Sequence, residues 1–143
     1  MSERSAPAGY HNVNPFVIVE GAQQMMGFLG DVFGAVECER ITRGDGTIGN
    51  AELAVGDSVV MVTDATGALP ARPSAFYVFV PDVDDAFARA VAAGGQPRTE
   101  PTDQFYGNRE AGVVDRWGNI WWIATPIEEV PASELQARYE AQL

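Results

Sequence analysis

Few of the residue types that carry out nucleophilic or acid–base chemistry occur in this chain of 143 residues. His11 is the only histidine, Cys38 is the only cysteine, and lysine is absent. A Ser-His-Asp triad or a Cys-His pair needs a histidine beside the nucleophile, and a Schiff-base enzyme needs a lysine. One histidine also cannot supply a two-histidine metal site within a chain. The composition therefore argues against these four kinds of active site.

Two glutamates recur in a repeated Gly-Asn-x-Glu motif, at Glu52 and at Glu110. Paired carboxylates can serve as a general acid and a general base. Their matching positions also indicate equivalent structural roles in two copies of one unit, and we prefer this interpretation. The acidic run at 82–85 is typical of a helix N-terminus, where carboxylates cap free N–H groups and oppose the helix dipole, rather than of a cation site.

The last predicted hairpin, 103–125, contains all three tryptophans. Side chains two residues apart share one face of a sheet, so Trp121 and Ile123 face the helices if Trp122 lies on the open face. The same alternation predicts these further open-face residues: Asn14, Phe16, Ile18, Val59, Met61, Thr63, Ala75, Tyr77, Phe79, Ile120 and Ala124. Such a trough is apolar and aromatic and suits a flat or bulky organic ligand, although aromatic residues on strands also commonly fill a core.

Polar groups at the rim of this trough could orient a ligand. The predicted rim residues are Asn50, Tyr106, Asn108 and Arg109. For Arg109 a surface salt bridge is the alternative, and it is the favoured one. The candidate ligand-binding residues are Phe16, Ile18, Asn50, Met61, Tyr77, Phe79, Tyr106, Arg109 and Trp122, with Trp122 as the main platform.

The elements that must position these residues occur in two similar runs of strand, helix and three strands. The first run is predicted at 14–20, 21–34, 35–42, 47–55 and 57–63. Its helix has one apolar face, formed by Ala22, Met25, Met26, Leu29, Val32 and Phe33. Gly34 is the predicted C-terminal cap of that helix, and 43–46 is a turn with the Asp-Gly hairpin signal.

The second run is predicted at 74–80, 82–93, 96–101, 103–114 and 119–125. Asp82 is the predicted N-cap of its helix, whose apolar face is Val83, Ala86, Phe87, Ala90 and Val91. Gly94 and Gly95 end this helix. A final helix is predicted at 131–143, with Ser133 as a possible N-cap.

The two runs match at a constant spacing, with Val19, Leu29 and Gly34 corresponding to Val80, Ala90 and Gly95. The fold class is therefore α+β, with two βαβββ modules forming curved mixed sheets around a cleft within one domain. The predicted segments are a flexible tail at 1–12, a first module at 13–64, a linker at 65–73, a second module at 74–125 and a C-terminal helical region at 126–143.

The segments IGNAELAVGDSVVMVTD, DVDDAFARAVAAGG, DQFYGNREAGVVDRWGN and IWWIAT resemble the vicinal oxygen chelate superfamily. That superfamily includes glyoxalase I, extradiol dioxygenases, and fosfomycin- and bleomycin-resistance proteins. The resemblance extends from about Asn14 to Thr125. It implies the glyoxalase/bleomycin-resistance fold and says little about the reaction, because one fold supports many functions.

Metal-using members of that superfamily carry ligands early in the first strand and in the last strand of each module. Matching the motifs places these ligands at Asn14, Met61, Ala75 and Trp122, and none of them is the expected His or Glu. Asn50 also replaces the histidine that close relatives often carry in Gly-His-Ala-Glu-Leu. The resemblance therefore implies a metal-free branch, with no cofactor.

The formal net charge of −11 repels phosphate backbones and anionic membranes, so nucleic acid is an unexpected partner. No apolar run is long enough to span a bilayer, and the N-terminal residues lack the apolar core of a signal peptide. One cysteine allows no internal disulfide, which fits the cytoplasm.

The sequence predicts a protein that binds a hydrophobic or aromatic small molecule in a metal-free cleft, in a drug- or metabolite-sequestering role of the antibiotic-resistance type. The alternative is a superfamily enzyme, such as a lyase, an isomerase or a dioxygenase-like protein. A homodimer is expected, because relatives of this kind commonly complete their clefts with a partner chain.

Overall fold

The structure is a computed structural model that describes residues 5–143. Residues 1–4 of the predicted tail lie outside the described residues. Contacts divide the chain into two units, the first ending at Ser74 and the second beginning at Ala75. The predicted linker, 65–73, lies in the first unit, where the Arg72 N–H donates to the Ile18 carbonyl at 3.3 Å.

The first unit contains one helix and a four-stranded mixed sheet. Its elements are β1 (Phe16–Val19), α1 (Ala22–Phe33), β2 (Val36–Thr42), β3 (Ile48–Val55) and β4 (Ser58–Asp64). The strand order is β1-β4-β3-β2. The β1–β4 pair is parallel and the other two pairs are antiparallel, so this unit has the predicted βαβββ arrangement.

The second unit repeats this arrangement and adds a terminal helix. Its elements are β5 (Ala75–Phe79), α2 (Val83–Ala92), β6 (Gln96–Asp103), β7 (Asn108–Val114), β8 (Ile120–Pro126) and α3 (Ala132–Gln142). The strand order is β5-β8-β7-β6, with β5 parallel to β8. The predicted α+β class is therefore confirmed.

One apolar face of α1 packs against the first sheet. Its buried side chains are Ala22, Met25, Met26, Phe28, Leu29 and Val32. Phe33, which was predicted on this face, is only half-buried because it lies at the last helical position. Gly34 follows with φ of +67° and donates its N–H to the Gly30 carbonyl at 3.0 Å, so the predicted cap is confirmed.

The N-terminus of α1 is capped from outside the helix. Its N-cap residue is Gly21, which has no side chain to accept a hydrogen bond. The Asp64 carboxylate at the end of β4 accepts from the N–H groups of Gly21, Ala22 and Ile48 at 3.2, 2.8 and 2.7 Å. Burial raises the pKa of Asp64, but these backbone hydrogen bonds outweigh it, so the pKa lies below its usual range. Asp64 thus joins α1 to the first sheet.

Helix α2 has a narrower buried face than the sequence predicted. Val83, Ala86 and Ala90 are buried at spacings of one helical stripe, whereas Phe87 is half-buried and Val91 is exposed. The small residues on this stripe let the helix lie close to the sheet. Phe87 and Val91 lie beside the stripe, at the edge of the contact between the helix and the sheet. The predicted N-cap is confirmed, since Asp82 accepts from the Asp85 N–H at 3.1 Å.

Trp121 anchors the core of the second unit. It is 2% exposed, and its ring stacks on Phe76 with a centroid distance of 4.3 Å. Its Nε1 donates to the buried Asp115 carboxylate at 2.8 Å, and that carboxylate also accepts from the Asn119 side chain. Ile123 is fully buried on the same face. The predicted alternation along β8 is therefore confirmed.

The start of β7 and the N-cap of α3 differ from the prediction. The segment predicted as one strand, 103–114, contains a turn before β7 begins at Asn108. Gly107 has φ of +95°, a value that ends an extended strand, and its N–H donates to the Gln104 carbonyl. The N-cap of α3 is Pro131 rather than Ser133, which lies inside the helix. Among residues 5–143, no helix has both the length and the apolar character of a membrane span.

Candidate functional site

An aromatic surface covers the open face of the second sheet, on the side opposite α2. Tyr77 and Trp122 are paired residues in the parallel β5–β8 ladder, and Phe79 lies two residues beyond Tyr77. The Tyr77 and Phe79 rings meet edge to face, with centroids 5.3 Å apart. Tyr77 is 45% exposed and Phe79 is 62% exposed, so neither side chain is buried in the core of this unit.

Trp122 extends this surface across the sheet and lies over Gly112 on β7. Gly112 is the residue directly opposite Trp122 in the antiparallel ladder. A Cβ atom at Gly112 would lie 2.6 Å from Cζ3 of the Trp122 ring, which is too close for real atoms. Glycine is therefore required here to let the ring lie flat, and the Arg98 guanidinium stands 5.8 Å from its centroid.

A buried carboxylate lies beside the aromatic surface. Glu110 on β7 is 8% exposed and accepts a hydrogen bond from the Tyr77 hydroxyl at 2.6 Å. Asn108 donates its Nδ2 to the same hydroxyl at 2.9 Å, and Tyr106 also bonds to Glu110. Burial and the bond to Glu110 raise the pKa of Tyr77 to about 12, and the same causes raise the pKa of Tyr106. Both phenols therefore stay neutral donors at ordinary pH.

Arg109 does not join this group, although the sequence placed it at the rim. It lies on the other face of β7, where its guanidinium bonds to Asp84 on α2 at 2.9 Å and to Asp103 at 3.0 Å. Hydrogen bonds to Asp84 and Asp103 raise its pKa further above its usual range. The physical reason is strand alternation, which turns Arg109 away from Asn108 and Glu110. The favoured alternative, a surface salt bridge, describes this arrangement.

The open face of the first sheet combines apolar side chains with another buried carboxylate. Phe16 on β1, Met61 on β4 and Glu52 on β3 form one row across the sheet. Phe16 is 48% exposed, whereas Glu52 is 7% exposed. Ile18 and Asn50 occupy the next row on the same face, each two residues away along its strand. The structure thus brings together the four predicted residues of this unit.

Tyr10 was predicted in the flexible tail, yet its hydroxyl donates to the Glu52 carboxylate. This hydrogen bond is the main cause that raises the pKa of Tyr10 to about 12. Asn50 donates its Nδ2 to the other Glu52 oxygen at 3.3 Å. The Asn50 Oδ1 is buried and has no hydrogen-bond partner among residues 5–143. One feature of the sequence could have indicated the contact between Tyr10 and Glu52. Tyr10 is an aromatic residue within a segment of otherwise small and polar residues.

An open cavity of about 660 Å³ lies above Glu52, between the sheet and the N-terminal segment. It is lined by Ser5, Ala6, Pro7, Tyr10, His11, Asn12, Asn14, Glu39, Glu52 and Met61. Its size falls within the range of small-molecule sites in proteins. Residues 5–14 form one wall of the cavity. The cavity therefore depends on a segment that, up to residue 12, was predicted to be a flexible tail.

The two glutamates lie in different rows of their sheets, although the repeated motif places them at matching positions. Glu52 lies opposite Met61. Glu110 lies opposite Ala124, two residues beyond Trp122. The cause is a longer stretch between the glutamate and the hairpin turn in the second unit. Val55 closes the first hairpin three residues after Glu52, whereas Asp115 closes the second five residues after Glu110.

The residues at the four predicted ligand places do not fit a divalent metal ion. Ala75 and Trp122 offer no metal-binding atom, and Met61 offers only a thioether. The Asn14 side chain is hydrogen-bonded to the backbone of His11 at 2.7 and 3.3 Å. Across the described residues, 5–143, no group of three or more His, Cys, Asp or Glu side chains is arranged to hold a metal. We therefore assign no metal-dependent step to these residues.

Comparison with known proteins agrees with this fold. An uncharacterized protein of Mycobacterium bovis is 30% identical over 141 residues, which cover 91% of this chain and 93% of that protein. The crystal structure of TioX from Micromonospora sp. ML1 is 27% identical, covers 81% of this chain and 100% of its own, and has a TM-score of 0.63.

The fosfomycin resistance protein FosX from Listeria monocytogenes has the same fold at 14% identity, with a TM-score of 0.60 over 87% of this chain and 97% of its own. The sequence profile of one family matches residues 11–123, which include both open faces. The chain belongs to the Glyoxalase/Bleomycin resistance protein/Dioxygenase superfamily.

Proposed function

We propose that this protein binds a planar aromatic small molecule without a metal, with Trp122 as the main contact, and that it sequesters a drug or metabolite. The observation that carries the proposal is the aromatic surface of Tyr77, Phe79 and Trp122 on one open sheet face. Exposed aromatic side chains that share one face commonly mark a binding site. Bleomycin resistance is one role named in the description of the superfamily, and sequestration is the form of that role that we propose here.

The polar group beside this surface supports a specific orientation of the ligand. Glu110 and the hydroxyls of Tyr77 and Tyr106 lie at one edge of the aromatic surface. A few fixed polar groups beside apolar walls are the usual composition of a small-molecule site. Aromatic walls also lose little rotamer entropy when a ring stacks on them.

Substitution of Trp122 tests the proposal. All three tryptophans lie in the second unit, so a ligand-induced change in tryptophan fluorescence reports binding to this unit, and calorimetry measures the affinity of a variant that lacks Trp122. The probes are a panel of fused-ring compounds that includes 2-methoxynaphthalene. We expect Trp122→Ala to weaken the binding of 2-methoxynaphthalene by about thirtyfold, or about 2 kcal/mol. Trp117→Phe, in the hairpin turn, is the matched control and should bind normally.

If Trp122→Ala binds with unchanged affinity, Trp122 is not part of the site and the proposal is contradicted. Trp121→Ala, on the helix-facing side, should instead lower the free energy of unfolding by about 3–5 kcal/mol. Mass spectrometry of the recovered compound separates sequestration, which returns it unchanged, from conversion.

A second candidate function is that of a metal-free lyase or isomerase. The observation that favours it is the hydrogen-bonded group of Glu110, Tyr77 and Tyr106. A carboxylate bonded to two phenols could accept a proton while a neutral tyrosine donates one. Under this alternative, Glu110→Gln abolishes conversion of a bound compound but leaves its affinity within about threefold. Under sequestration, no conversion is detected for either protein.

A further inference from the structure

We infer that Glu52 is the polar anchor of a second binding site, in the first unit, that accepts the hydroxyl of a phenolic ring, and that Tyr10 fills this place from within the chain. The inference rests on the proposed function, since it assumes a protein that binds planar aromatic molecules. It adds binding residues in the first unit and a required chemical group.

The comparison of Phe16 with Tyr77 is the first observation. Phe16 pairs with Met61 in the parallel β1–β4 ladder as Tyr77 pairs with Trp122 in the β5–β8 ladder. Tyr77 carries a hydroxyl that reaches the carboxylate of its own sheet, and Phe16 carries none. A buried carboxylate needs donors, and its own sheet offers Glu52 only the Asn50 amide among the described residues. The hydroxyl is supplied instead by Tyr10.

The attachment of Tyr10 is the second observation. Tyr10 belongs to the segment before β1, and its own N–H donates to the Pro7 carbonyl within that segment at 3.1 Å. No described residue before Phe16 belongs to a helix or strand. The Tyr10 hydroxyl can therefore leave Glu52 without breaking a strand ladder. A phenol from solution would meet the same carboxylate with the same geometry.

The distribution of acceptors around Glu52 is the third observation. The Asn50 Oδ1 is buried without a partner among residues 5–143, and Glu39 contributes another carboxylate to the cavity wall. Met61 in that wall and Phe16 beside it provide an apolar surface for a ring. Acceptors beside apolar side chains select an aromatic group that donates a hydrogen bond.

The test uses two probes that differ by one donor, 2-naphthol and 2-methoxynaphthalene, titrated by calorimetry. Tyr10→Phe removes the internal hydroxyl, so we expect 2-naphthol to bind about tenfold more tightly, the equivalent of one hydrogen bond to a charged acceptor. Glu52→Gln should weaken 2-naphthol by about tenfold. Neither change should alter the affinity for 2-methoxynaphthalene. Tyr139→Phe, on α3, is the matched control and should behave as the parent protein.

The outcomes separate this inference from the proposed function. If Tyr10→Phe and Glu52→Gln leave 2-naphthol affinity unchanged while 2-methoxynaphthalene still changes tryptophan fluorescence, this inference fails and the proposed function stands. If 2-naphthylmethylammonium, which is a cation at neutral pH, gains affinity from Tyr10→Phe and 2-naphthol does not, the site selects cations and the phenol assignment is wrong. Binding of neither naphthalene probe contradicts both. Circular dichroism of each variant verifies that it is folded.

Discussion

At the scale of single residues, a tyrosine hydroxyl bonded to a buried carboxylate occurs on both open faces. Tyr77 and Tyr10 each have a pKa raised to about 12, compared with the usual value of 10.0. A raised tyrosine pKa stabilises the folded state fully below the unfolded value, and this contribution is lost as pH rises towards the folded value. Loss of stability from these two groups is therefore expected above pH 10.

Absorbance titration of the phenolate checks this expectation. Tyr77→Phe should remove one group that titrates near 12. Glu110→Gln should move the Tyr77 titration towards its ordinary value, because both the hydrogen bond to a charged acceptor and the charge itself are changed. A Tyr77 titration that is the same in Glu110→Gln and in the parent protein would show that Glu110 does not cause the shift.

Gly112 is the second residue whose chemistry can be tested alone. Gly112→Ala places a methyl group against the Trp122 ring, and overpacking of this kind costs about 1–3 kcal/mol. We expect lower stability in urea and an altered tryptophan emission. Gly27→Ala, in α1 with no atom near the added methyl group, is the matched control and should raise stability by up to about 1 kcal/mol. Equal effects of the two substitutions would refute the close contact at Gly112.

At the scale of elements, the junction between β4 and α1 depends on Asp64. Asp64→Ala leaves buried N–H groups without an acceptor, so we expect a loss of about 1–3 kcal/mol at neutral pH. Because the pKa of Asp64 is lowered, this stability is present above the unfolded carboxyl pKa and is lost as pH falls through the folded value. The difference between variant and parent should therefore shrink in acid.

Urea unfolding at about pH 7 and about pH 3 measures this change. Asp82→Ala at the exposed N-cap of α2 serves as the comparison and should cost about 1 kcal/mol. A deficit for Asp64→Ala that persists at low pH would show that packing, not the charged cap, holds this junction.

The elements themselves were predictable because alternation and helical periodicity are local properties of the sequence. The βαβββ order, the Gly34 cap and the opposite faces of Trp121 and Trp122 all follow from spacing within one strand or helix. The different rows of Glu52 and Glu110 were not predictable, because a repeated motif does not report how many residues separate it from its hairpin turn.

The contacts of Tyr10 and Arg109 were hidden for a related reason. Each depends on a partner far along the chain, Glu52 in one case and Asp84 in the other. Periodicity identifies the face of a strand, but it carries no information about which distant side chain lies beside it.

At the scale of the whole molecule, we predict a homodimer. Strand β2 is an edge strand of the first sheet, and its apolar side chains Val36 and Ile41 are 64% and 59% exposed. Such an edge offers unpaired backbone groups and apolar surface to another chain. Sedimentation should give about twice the 15.4 kDa chain mass, and Ile41→Lys should weaken association whereas Val91→Lys on α2 should not. A monomer at micromolar concentration would contradict this prediction.

We also predict that the purified protein carries no stoichiometric zinc, nickel, iron or manganese. The reason is the chemistry of Asn14, Met61, Ala75 and Trp122 at the predicted ligand places. Elemental analysis that finds about one metal per chain, lost together with ligand binding after chelation, would overturn this prediction. The cytoplasmic location also stays a prediction, and localisation of a tagged chain would test it.

Adjacent tryptophans at 121 and 122 have a consequence for how the last hairpin finds its alignment. A shift of β8 by one residue would exchange the two faces, yet it would still bury one indole and present the other. Hydrophobicity alone therefore gives two pairings of similar free energy. Gly112 accommodates either indole opposite it, so it does not discriminate between them. The Asp115 carboxylate, which accepts from Trp121 Nε1, decides between the pairings. Its loss should therefore yield a mixture of two slowly exchanging hairpins rather than a simply weakened one.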